Sequence, residues 1–142
     1  MSARDRLSTT GVWYHTDTMS AGEAAEFAGR VADMGYSTLW LPDTVGRDPF
    51  AHIAWLASQV DTLQFATGIA NIFHRHAGPM MQVANTLAEQ TGGRFVLGLG
   101  VSHGPLVAGL RFGVPLLSFP GLDQAGDHVA GEEAVREPGR ER

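Results

Sequence analysis

Four apolar, β-rich runs recur along the chain at intervals of about 25 to 32 residues, the length of one strand–helix–strand unit. They are Thr10 to Tyr14, Ser37 to Leu41, Leu63 to Thr67 and Arg94 to Leu99. Three helical patterns fill the gaps. Ser20-Ala21-Gly22-Glu23 reads as a capping box, and Ala24, Phe27, Ala28, Val31 and Met34 follow on one face. Gly35 stands where a left-handed C-terminal cap would fall. Asp48-Pro49 predicts the second helix start, with Ala51, Ala54, Trp55 and Val60 on its buried side. Pro79 predicts the third, which carries Met80, Val83, Ala84, Leu87 and Ala88 and stops at Gly92-Gly93.

Alternating strands and helices imply an α/β fold with a parallel sheet. Strands buried on both faces explain runs that are apolar rather than alternating. Periodicity leaves two architectures open, a (β/α)8 barrel and a doubly wound sheet. Either way, ligands bind at the C-terminal ends of the strands. That rule selects His15-Thr16-Asp17, Pro42-Asp43-Thr44, Gly68-Ile69-Ala70-Asn71 and Gly100-Val101-Ser102-His103. A doubly wound site would need glycine-rich loops at the helix starts, which Ser20, Asp48 and Pro79 lack.

Composition narrows the function classes. A net charge of −5 argues against a partner held by phosphate neutralisation, so no nucleic acid is expected. No apolar stretch approaches the roughly 20 residues of a membrane span, so no membrane partner is expected either. With no cysteine there is no disulfide or thiolate metal site, and a cytoplasmic location is expected. His74-Arg75-His76 is a poor ligand pair, so no metal is expected. The aromatics Trp13, Tyr14, Trp40 and Trp55 read as core or barrel-interior packing.

Several segments carry a family resemblance. Gly35 to Asp43 looks like the second-strand segment of luciferase-like oxidoreductases, and Ala66 to Ile69 looks like their third. Thr86 to Gly100 is the most specific: a threonine-leucine helix end, a Gly-Arg-Phe turn and a Gly-x-Gly strand end. Val101 to Val107 is similar to a branch thought to use deazaflavin. The resemblance covers roughly residues 10 to 111.

The resemblance implies a (β/α)8 barrel of TIM type. A complete one takes about 250 residues, so a chain of 142 is expected to hold about the first four β/α units. Residues 8–111 would form that truncated half barrel. Residues 112–142, with Pro115, Pro120, Pro138 and a charged end, would be a poorly ordered tail. The implied cofactor is deazaflavin (coenzyme F420) or FMN, and the implied activity is hydride transfer or monooxygenation of a small organic substrate. The cofactor-facing positions would be Asp43, a bulge at Thr67, Gly68, Ile69 and Ala70 that often contains a non-proline cis peptide, and Gly100, Val101 and Ser102. His103 falls where some relatives carry an acid/base carboxylate and is the expected catalytic residue. Thr44 departs from relatives that place a histidine there. Arg75 would lie in a loop, facing solvent or the phosphate-bearing tail of the cofactor. An open sheet also predicts a homodimer through its edges. The competing expectation is a non-enzymatic half-barrel fragment, inert or a partner subunit.

Overall fold

A computed structural model describes residues 10–102 of the chain. The expected boundary at residue 111, the tail and His103 lie outside the described residues.

Among the described residues nine elements follow one another: β1 (Gly11–Trp13), α1 (Ala21–Asp33), β2 (Thr38–Leu41), α2 (Pro49–Gln59), β3 (Gln64–Thr67), β4 (Ala70–Asn71), α3 (Ala77–Gln90), β5 (Phe95–Val96) and β6 (Leu99–Gly100). The main sheet runs in the order β1-β2-β3-β5, every pair parallel. Each new strand is added on the same side, so there is no reversal of order. That is the wall of a barrel, not a doubly wound sheet.

The register decides which side chains face the helices. Val12 pairs with Leu39, Leu39 with Phe65, and Phe65 with Phe95. Leu39 and Phe65 are fully buried, and all four belong to or pack against one hydrophobic cluster with Ala24, Ala28, Ile53, Leu56 and Leu87. Burying each such large side chain stabilises the fold by about 1.5–3 kcal/mol. Gly11, Trp13, Thr38, Trp40 and Gln64 alternate onto the opposite, barrel-interior face.

The helix ends follow their sequence signals with one exception. At α1, Ser20 Oγ accepts from Glu23 N at 3.2 Å, and Glu23 Oε2 accepts from Ser20 N at 2.8 Å. Gly35 adopts φ +85° just beyond the C-cap. At α2, one oxygen of Asp48 accepts from the amides of Phe50 and Ala51, both at 2.9 Å. Helix α3 begins at Ala77, two residues before the expected Pro79, with His76 as an N-cap that makes no side-chain bond. Proline is tolerated inside the first turn because its missing N–H would have had no helical partner.

Helix α2 buries a different face from the one expected. Phe50, Ile53, Leu56 and Ala57 point inward, whereas Ala51 and Trp55 are exposed and Ala54 is half-buried. The segment is apolar nearly all round, so its periodicity did not single out a side.

The third and fourth runs are each broken in two. β3 ends at Thr67, the Gly68–Ile69 peptide is cis, and β4 resumes at Ala70. β5 stops at Val96 and β6 resumes at Leu99. β4 and β6 pair with each other as a separate parallel ribbon. The two breaks lock together at Thr67 and Gly98. Thr67 Oγ1 donates to Gly98 O at 2.9 Å and accepts from Gly98 N at 2.9 Å. A side chain at Gly98 would overlap the Thr67 carbonyl oxygen, so only glycine allows this approach.

Candidate functional site

At the C-terminal ends of the strands lies a cavity of about 470 Å3. Its wall comes from the ends of β1, β2, β3 and β6. Trp13, His15, Asp17 and Thr18 line it from the first, Pro42, Asp43, Thr44 and Val45 from the second, Gly68 and Ile69 from the third, and Ser102 from the fourth. The volume lies within the roughly 300–1,000 Å3 typical of small-molecule sites, and most of the lining is apolar.

Four of the expected cofactor-facing residues therefore meet in one cavity: Asp43, Gly68, Ile69 and Ser102. The other four do not line it. Thr67 is fully buried as the clamp on Gly98, and Ala70 is a core residue whose N–H donates to Gly98 O at 2.7 Å. Gly100 pairs with Asn71 in the ribbon, and Val101 is exposed. Ser102 has φ 59°, the one non-glycine residue with positive φ among the described residues. Backbone held in that region concentrates at binding sites.

Asp43 is a buried carboxylate with several partners. Its Oδ2 accepts from Asn71 N at 3.0 Å, lies 3.1 Å from His74 Nδ1, and stands 3.6 Å from Arg75 Nη1. The neighbouring amide fixes the His74 tautomer. Asn71 Oδ1 already accepts from Phe73 N at 2.9 Å, so Asn71 Nδ2 is the atom that donates to His74 Nε2, 3.2 Å away. His74 then carries its proton on Nδ1 and donates it to Asp43. Asp43 thus ties the end of β2 to the loop after β4.

Arg75 is half-buried rather than wholly solvated. Its guanidinium bridges Asp43 and Asp48 and sits 4.6 Å over the Phe50 ring. Two acceptors and an aromatic face hold it inside the protein's own network.

A second network lies behind the first-strand loop. Arg47 donates to Thr16 O at 3.2 Å and to Met19 O at 2.7 Å. His52 Nε2 sits 3.1 Å from Thr16 Oγ1 and 3.3 Å from Arg47 Nη1. Burial, then the Arg47 charge, push the His52 imidazole down to about 4, against a smaller opposing pull from Asp17. His52 is therefore neutral near pH 7, and the loop bearing His15, Asp17 and Thr18 is stapled to the start of α2. Sequence reading missed this, because Thr16, Arg47 and His52 lie on three separate segments.

Trp13, expected in core or barrel-interior packing, lies on the barrel-interior face but is 58% exposed and lines the cavity. The alternation of β1 carries the signal: Val12 takes the core side, which turns Trp13 to the interior face. The Gly-Arg-Phe turn has a structural role. Arg94 donates to the carbonyls of Ala57, Val60 and Leu63 at 2.8–3.2 Å, satisfying the open C-terminal end of α2. Among the described residues, no group of three or more His, Cys, Asp or Glu side chains could hold a metal, and no helix is long and apolar enough to cross a membrane.

Comparison with known proteins agrees with this geometry. The "Putative coenzyme F420-dependent oxidoreductase" of Mycobacterium tuberculosis is 33% identical over 96 residues, 65% of this chain and 27% of its own length. The 5,10-methylenetetrahydromethanopterin reductase of Methanolobus tindarius is 30% identical over 77 residues, 54% of this chain and 24% of its own. Among solved structures, the coenzyme F420-dependent tetrahydromethanopterin reductase of Methanopyrus kandleri superposes with a TM-score of 0.66 at 20% identity, over 76% of this chain and 30% of that one. The FMN-bound oxygenating constituent of the 3,6-diketocamphane monooxygenase of Pseudomonas putida gives 0.64 at 19%, over 73% and 32%. These likenesses establish the fold as the TIM-barrel type. The chain spans about a quarter to a third of the length of these relatives. The family model for luciferase-like monooxygenases matches residues 6–125, and the chain belongs to that family.

Proposed function

We propose that this chain carries the cofactor-facing wall of a flavin- or deazaflavin-dependent oxidoreductase acting on a small organic molecule. The observation that carries the reading is the cavity itself, which gathers Asp43, Gly68, Ile69 and Ser102 from three strand ends. The names of the relatives, two of them F420-dependent and one bound to FMN, point to the same cofactor class.

The residues present fit a flat ring. Gly68 offers the cavity a surface without a Cβ. One placed there would lie 3.1 Å from Trp13 Cδ1 and 3.2 Å from Trp40 Cβ. Thr44 lines the cavity, and its Oγ1 is buried without a hydrogen-bond partner. Such an orphan is what a ligand's polar edge would satisfy. Gly68 and Ile69 would support the ring, and the hydroxyls of Thr44 and Ser102 would serve its polar atoms. A bound flavin or deazaflavin supplies the hydride chemistry. The protein holds the first-strand loop through Arg47 and His52. His103 remains the proposed acid/base, one residue beyond Ser102.

The test is a fluorescence titration of the purified chain with coenzyme F420 and, separately, with FMN. Saturable binding at micromolar concentration, weakened by Gly68→Val, is the expected result. A folded chain that binds neither contradicts the reading and favours the non-enzymatic alternative.

A further inference from the structure

We propose that Trp13 is the residue that recognises the ligand's ring, as a fixed flat surface that selects planar aromatic heterocycles whatever tail they carry. This rests on the cavity being the ring site proposed above.

The indole is exposed and yet immobilised. More than half of its surface is open, but its Nε1–H donates to the Gly68 carbonyl oxygen at 2.6 Å. Its Cδ1 and Nε1 lie only 3.1 and 3.3 Å from where a Gly68 Cβ would stand, so glycine lets the indole close onto the strand break. Gly68 therefore has two roles in one: it keeps the wall flat, and it seats Trp13.

The geometry also limits what Trp13 can offer. Indole has a single hydrogen-bond donor, and Gly68 takes it. What remains toward the cavity is an apolar π-surface. Asp43 has its Oδ2 taken up by a backbone amide and an imidazole, with a guanidinium 3.6 Å away. A large, oriented aromatic surface beside a glycine wall favours ring stacking and makes no demand on the tail.

The test uses the whole chain and three probes: lumichrome, which is a bare tricyclic ring, then riboflavin and FMN. Affinities are measured for wild type, Trp13→Leu, Trp13→Phe and the remote control Trp55→Phe, with tryptophan quenching recorded in parallel. Trp13→Leu is expected to weaken all three probes by a similar factor of about tenfold. Trp13→Phe keeps a flat ring and is expected to stay within about threefold of wild type while losing most of the quenching. Trp55→Phe should keep both affinity and quenching.

Wild-type binding that survives Trp13→Leu unchanged overturns this inference and leaves the proposed function standing. A weakening confined to FMN overturns it too, because the tail would then be what Trp13 senses. Should Trp13→Leu fail to fold, undiminished quenching in Trp13→Phe overturns it on its own. If wild type binds none of the probes, the proposed function and this inference fall together.

Discussion

At the scale of single residues, the site separates groups that hold the wall from groups that face the ligand. Asp43 belongs first to the wall. Its Oδ2 takes up two donors, Asn71 N and His74 Nδ1, and faces the Arg75 guanidinium at 3.6 Å; an amide oxygen could still accept the two bonds but would remove the charge that faces Arg75. Asp43→Asn is therefore expected to destabilise the chain by about 1–3 kcal/mol, read as a fall of several degrees in the thermal unfolding midpoint by circular dichroism. An unchanged midpoint would show that the carboxylate charge facing Arg75 contributes nothing. The resemblance placed Asp43 correctly at the mouth of the second strand. It could not show that the carboxylate is satisfied from within, because Asn71, His74 and Arg75 are close to it only after folding. Trp13 is the reverse case. Its place on the interior face follows from the two-residue alternation of β1, which an apolar run in a parallel sheet hides from sequence reading.

At the scale of elements, loops are held by buried side chains of neighbouring segments. His52, at the start of α2, keeps the first-strand loop in place as a neutral acceptor. Its folded-state value of about 4 lies below the ordinary 6.5 of an unfolded histidine. Between those values the unfolded chain binds more protons, so this contribution to stability is complete above about pH 6.5 and declines as the pH falls toward 4. Urea midpoints should accordingly drop between pH 7 and pH 4.5, and His52→Gln should flatten that dependence. An equal drop in the variant would assign the pH effect to other groups. The helix boundaries were largely legible, since the Ser20–Glu23 box, the Asp48-Pro49 start and Gly35 each solve a local problem at a chain end. The breaks in the third and fourth runs were less so. Gly68 was readable as the place for one, but the matching break at Leu97-Gly98 depends on a partner about 30 residues away.

At the scale of the whole molecule, the α/β class and the alternation of strands with helices followed from the spacing of four apolar runs. The choice of a barrel wall needed the sheet order. Among the described residues β1 and β5 end the main sheet, and unpaired strand edges invite pairing. We propose that the chain of 142 residues self-associates through these edges. Sedimentation equilibrium should then show a mass that rises with concentration toward a dimer, and a mass fixed at one chain contradicts it. More narrowly, we propose that the cavity at the strand ends holds a flavin-like ring. Its most direct test is a nitrogen-15 NMR titration of the chain with FMN. The largest shift changes are expected on the Trp13 indole and on the amides of Gly68, Ile69 and Ser102. Changes concentrated instead on the outer surfaces of α2 and α3, with the cavity unmoved at saturation, would contradict it.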